Sequence, residues 1–142
     1  MAADTILESR KGSVTGTPEE VYNFVTDIRN FGSLIPDGYI TDWEAAKDSG
    51  SFSVSPLGSV NFRLDESKPF TMVSYKGLAL STANFALDLI IEPGEAGMAD
   101  VKVRLGTDLN PVLRMMADAP ARRFLETLIA EMEKFTCWKD RE

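Results

Sequence analysis

Four side chains stand where acid–base chemistry could be done: Glu8, Arg10, Tyr39 and Tyr75. Glu8 and Arg10 lie in TILESRKGSV, residues 5–14, on the same parity as Ile6 and Val14. If that segment is a strand with Ile6 and Val14 facing in, a carboxylate and a guanidinium face in with them. Such a buried pair is costly unless its hydrogen bonds are filled, and its pKa values would shift. A bulge that turns both to solvent removes the cost, and is the reading we favour. Tyr39, Tyr75 and Trp43 carry polar tips on apolar bodies, which suits orienting a ligand or edging a core. The sequence has no histidine. That removes Ser-His and Cys-His nucleophile pairs, the commonest general base and the commonest metal ligand. Cys137 is the one cysteine, so an intramolecular disulfide and a Cys-rich metal site are both excluded. Asp65, Glu66 and Asp108 make no metal-binding pattern. We assign no catalytic residue, no metal and no cofactor.

The chain has 142 residues, the size of one domain, and we treat 1–142 as a single unit. Its net charge of −7 disfavours nucleic acid and anionic membrane, which need clustered Lys and Arg. The start, MAADTILESRK, lacks the basic and apolar runs of a signal peptide. No apolar run reaches bilayer-spanning length, so no integral membrane segment is expected. One cysteine fits a reducing cytoplasm.

The elements that must position these groups are legible in the periodicity. Thr17, Pro18 and Glu20 make a capping box with proline at the first helical position. Val21, Phe24, Val25 and Ile28 then follow helical spacing. Asp27 can cap a second short helix that continues the stripe through Phe31, Leu34 and Ile35, with Pro36 and Gly38 as its stop. From 39 to 109 the period is two. YITDWEA, SFSVS, SVNFRLDE, FTMVSYKG, NFALDLII and DVKVRLGTDL read as strands of an antiparallel meander with short turns. Val60, Phe62 and Leu64, then Phe85, Leu87, Leu89 and Ile91, then Val101, Val103 and Leu105 face in. After Asn110 and Pro111 a helical stripe runs through Leu113, Met116, Phe124, Leu125, Leu128, Met132 and Phe135. Pro120 predicts a kink or a break, with Asp118 able to cap a new start.

The order is strand, two short helices, six strands, long helix. With the run SRKGSVTGTPEEVYNFVTDIRNFGSLIP, it resembles the START-like superfamily, also called SRPBCC, of the birch-pollen allergen and the polyketide cyclases. The resemblance covers essentially the whole chain. It implies an α+β helix-grip fold: a seven-stranded antiparallel sheet wrapped around a long C-terminal helix, with two short helices between strands one and two. It also implies a cavity between sheet and helix. The fold hosts many activities and names none of them.

On that resemblance, Phe62, Leu64, Tyr75, Phe85, Leu87, Val103, Leu105, Met116 and Leu128 would wall the cavity. Phe31, Leu34, Ile35 and Leu78 would gate it. The same side chains also suit a solid core. Met115, Met116 and Met132 offer adaptable surface or gap filling. Leu78, Ala79 and Leu80, and Pro56-Leu57-Gly58, could flank a mouth or mark a dimer contact. The expected partner is one small hydrophobic or amphipathic molecule, lipid-like or aromatic, on a monomer or weak homodimer. The alternatives are a polyketide cyclase- or dehydratase-like enzyme, and a protein-interaction module with a vestigial cavity.

Overall fold

The computed structural model describes residues 5–35, 38, 40–54, 58–79, 83–107, 111–135 and 138, with only the backbone of Thr5, Ala79, Ala83, Pro111, Leu113, Arg114, Met116 and Ala117. Expectations placed on Pro36, Tyr39, Pro56, Leu57, Leu80, Asp108, Asn110 and Cys137 fall outside those residues.

The first extended segment is two strands, β1 (Thr5–Glu8) and β2 (Gly12–Val14). Both pair antiparallel with β8 (Ala99–Thr107). Four steps from Glu8 to Gly12 oppose three steps from Arg104 to Val101, so one extra residue is inserted. Ser9 holds the break: its amide donates to the Val103 carbonyl at 2.8 Å, and its Oγ accepts the Val103 amide at 2.9 Å. The insertion resets the parity. Leu7 and Ser9 face in before it, and Gly12 and Val14 after it. Ile6, expected inside, is 59% exposed for this reason. Glu8 and Arg10 point outward. Glu8 pairs with Arg104 and Lys102 at 3.4 and 3.6 Å.

α1 (Pro18–Val25) begins at the expected capping box: Glu20 N donates to Thr17 Oγ1 at 3.1 Å, and Thr17 N to Glu20 Oε1 at 3.0 Å. Val21, Phe24 and Val25 are buried. The second short helix, Ile28–Leu34, is 3-10, with Asp27 accepting the Arg29 amide at 3.1 Å. Its period of three buries Ile28, Phe31 and Leu34 on one side and leaves Ile35 half-buried at its end.

Six strands follow: β3 (Thr41–Ala45), β4 (Ser49–Val54), β5 (Gly58–Lys68), β6 (Met72–Ala79), β7 (Ala83–Pro93) and β8. Each pairs antiparallel with the next. The sheet order is β1-β8-β7-β6-β5-β4-β3, with β2 continuing β1 along β8.

The last segment is one helix, α2 (Pro111–Lys134), with Pro120 inside it. No break occurs, and Asp118 bonds Arg122 at 3.0 Å instead of capping a new start. Ala121, Leu125, Leu128, Ile129 and Met132 are buried. They bring the helix against β1, β2, β8 and the 3-10 helix. Just beyond, Trp138 packs on Gly16, where an added Cβ would come within 2.8 Å of the indole. Its ring also meets Phe24 and Phe135, with centroids 5.2 and 4.9 Å away.

Arg10 ties the bulge to this helix, donating to both Glu133 oxygens at 2.9 and 2.7 Å. The Arg10 guanidinium, helped by the Ser13 amide, holds the Glu133 carboxyl below its ordinary value. Its stabilisation is therefore present above the ordinary carboxylate range and is lost as pH falls through the lowered value. Exposure keeps it small and sensitive to salt. Glu133→Gln is expected to flatten the acid limb of a plot of Tm against pH at low salt, and to change little in high salt. Superimposable acid limbs for wild type and variant at low salt would contradict this.

Candidate functional site

The strand register lays the inward side chains out in rows. One row runs Val73, Leu89 and Val103. The next runs Leu64, Tyr75, Leu87, Leu105 and Leu7. A third runs Phe62, Gly77, Phe85 and Thr107. Burial falls across these three rows, and beyond them Val60 of β5 is buried again. Every member of the first row is buried. In the second, Tyr75, Leu87 and Leu7 are buried, but Leu64 and Leu105 only half so. In the third all four are half-buried. On α2, Ala121, Leu125, Leu128, Ile129 and Met132 are buried while Phe124 is half-buried. Water thus reaches apolar surface on the inward face.

Beside this region lies an aromatic cluster. Phe31 meets Tyr75 and Phe62 edge to face, with centroids 5.3 and 6.1 Å apart. Phe62 also meets Tyr75, Trp43 and Phe52 at 6.1, 6.2 and 6.0 Å. Phe52 stacks on Phe124 of the helix at 6.5 Å. Edge-to-face geometry favours such pairs because a positive ring edge meets a negative face. Phe31 and Leu34 are therefore seated in the core, with 4% and 1% exposure. Leu78 sits in the outward row between Asn61 and Asn84 and is 40% exposed.

Tyr75 is fully buried, and its hydroxyl donates to the Val25 carbonyl at 2.6 Å. Burial raises its phenol well above the usual value. Its proton is thus held by the end of α1. Among the described residues no three His, Cys, Asp or Glu gather to hold a metal. No helix there is long and apolar enough to cross a membrane.

An open cleft of about 390 Å³ lies on the exposed side of the 3-10 helix. Arg29, Gly32, Ser33, Ile35, Gly38, Ile40 and Trp43 line it. The Asp27 carboxylate holds Arg29, taking Nε at 2.9 Å and Nη2 at 2.7 Å, and is itself lowered in pKa mainly by that bond. Sequence patterning pointed to Ile35 and Trp43 but missed Arg29, Gly32 and Ser33. They are the off-stripe positions of a 3-10 turn, and periodicity carries no signal for them.

An open antiparallel sheet curved about one long C-terminal helix, with short helices between its first extended segment (β1 and β2) and β3, is the helix-grip arrangement. No family model and no curated protein matches the sequence. Solved structures do match over nearly the full chain. A norcoclaurine synthase point mutant from Thalictrum, in complex with a transition-state analogue, is 7% identical with a TM-score of 0.67, covering 92% of this chain and 94% of that one. The XoxI protein of Bacillus cereus is 12% identical with a TM-score of 0.67, covering 94% of both chains. The Aha1 dimer of Colwellia psychrerythraea is 12% identical with a TM-score of 0.62, covering 92% and 94%. Identities this low show the shared fold alone, which includes neighbours of the birch-pollen-allergen (SRPBCC) type.

Proposed function

We propose that this chain is a single-domain binding protein for one small hydrophobic or amphipathic molecule, lipid-like or aromatic. The molecule lies between the inward sheet face and α2. The protein works as a monomer or weak homodimer in a reducing cytoplasm. The observation that carries the reading is a set of inward apolar side chains that stay partly exposed. Phe62, Leu64, Phe85, Leu105 and Phe124 face inward yet stay half-exposed. Covering such surface is worth about 25 cal/mol per Å², and apolar concavities with few polar groups are the usual form of small-molecule sites. The norcoclaurine synthase neighbour, holding its transition-state analogue, supports a small-molecule role by analogy of fold. A cyclase- or dehydratase-like activity has less support. Glu8 and Arg10 point to solvent and the Tyr75 hydroxyl is spent on Val25. An interaction role rests on the Aha1 neighbour being a dimer.

Native mass spectrometry of the protein from its own host should show a single adduct. A dansyl-labelled undecanoic acid should bind saturably at one site. Leu105→Trp, which fills half-exposed inward space, should weaken the probe roughly tenfold or more. No adduct together with no saturable probe uptake would end the proposal.

A further inference from the structure

The open cleft beside the 3-10 helix shares Trp43 with the inward aromatic cluster, but none of its other lining residues belongs to the inward rows. Gly32 lines it, and a Cβ there would come within 2.9 Å of Trp43 Nε1, so any larger residue would press on the indole. Gly38 also lines it, with nothing within 4 Å of where its Cβ would be. Ile35 and Ile40 supply apolar walls, and the indole of Trp43 supplies an aromatic one. Two hydrogen-bond donors lining the cleft have no acceptor among the described residues. Arg29 spends its amide, Nε and Nη2 on Asp27 and leaves Nη1 unused. The half-buried Trp43 turns its indole N–H edge toward Gly32, and among the described residues it has no hydrogen-bond acceptor.

We infer that this cleft is a second binding site, for a flat, neutral, largely apolar molecule that carries a carbonyl oxygen. The body of the molecule lies against Trp43, Ile35 and Ile40, and its carbonyl accepts from Arg29 Nη1 and Trp43 Nε1. Charge decides against an anion. Asp27 already neutralises the guanidinium at 2.7 Å, so a second carboxylate would meet Asp27 at close range. The chain's net charge of −7 opposes an anion as well. A neutral carbonyl meets neither penalty and still gains a charge-assisted bond. The cleft's volume falls at the small end of ordinary small-molecule sites, roughly 300–1,000 Å³.

The test uses coumarin, which is flat, neutral and carries one carbonyl. Naphthalene serves as the acceptor-free control and coumarin-3-carboxylate as the charged one. In ¹H–¹⁵N spectra of the full chain, coumarin should shift the Trp43 indole resonance saturably and leave that of Trp138 in place. Arg29→Gln should weaken coumarin about tenfold, the loss of one charge-assisted bond. Naphthalene and the carboxylate should both bind at least that much more weakly than coumarin. Leu105→Trp should leave coumarin binding at Trp43 unchanged, which separates this site from the inward face. The inference is overturned by an absent or unsaturable Trp43 shift, by equal affinity in wild type and Arg29→Gln, or by naphthalene or the carboxylate binding as well as coumarin. It is also overturned if Leu105→Trp abolishes the signal, which would place coumarin on the inward face.

Discussion

Gly77→Ala is expected to destabilise the protein by about 3 kcal/mol, at the upper end of overpacking costs. A Cβ at this position would lie 1.9 Å from the Asn61 carbonyl oxygen and 2.8 Å from Phe62 Cα. Both are backbone atoms of β5, so no rotamer change relieves the clash. The strand itself must move, and it is bonded to β4 on its other edge. Glycine is thus required here by the close approach of two backbones. That approach lets β5 and β6 curl, and it leaves a row with no side chain between Phe62 and Phe85. Gly58→Ala is the control. Its φ is +76° and the space around it is open, so it carries only the left-handed cost of roughly 1–2 kcal/mol, partly offset by the loss of unfolded-state freedom. Urea denaturation of the two variants gives the comparison. If Gly77→Ala proves no less stable than Gly58→Ala, β5 yields freely and the close approach is not a constraint.

What the sequence reveals and what it hides divide along one physical line. Patterns set by local geometry are legible. The capping box at Thr17 and Glu20 needs only four consecutive residues. The inward faces of β5, β7 and β8 need only alternation, because a sheet with one wet side imposes it. Features set by contacts distant in sequence are not. The charges of Glu8 and Arg10 point to a bulge in TILESRKGSV, but not to its place, because the inserted residue is fixed by Ser9 bonding to Val103. Ile129 is buried against Gly12, far away in the chain. Pro120 signals a break by local rules, yet the helix continues through it, since packing of its later turns outweighs one missing bond. The wall residues divide the same way. Alternation places Phe62 and Phe85 on the inward face, but only the register across neighbouring strands shows that they share one half-buried row with Gly77 and Thr107.

Tyr75 offers the second large effect, and two variants divide it. Tyr75→Phe keeps the ring against Phe31 and Phe62 but removes the donor, leaving the Val25 carbonyl without its partner. A loss of about 1–2 kcal/mol is expected. Tyr75→Ala also removes a fully buried ring, and the combined transfer and cavity cost brings the loss to about 3–5 kcal/mol. The phenol adds a sign at high pH. Burial raises its pKa above the ordinary 10.0, so its contribution is complete below that value and falls as pH rises beyond it, where the unfolded chain ionises first. Tyr75→Phe should therefore lose part of the alkaline fall in stability seen in wild type. The hole in Tyr75→Ala is lined by Phe31, Phe62 and their neighbours and adjoins the half-exposed row at Phe62 and Phe85. An apolar cavity of this kind stays dry and accepts small aromatic molecules. Added indole should raise the Tm of Tyr75→Ala in proportion to the logarithm of its concentration, and that of Tyr75→Phe by much less. Equal responses in the two variants would mean that indole enters elsewhere, and that the ring of Tyr75 does not border space a ligand can use.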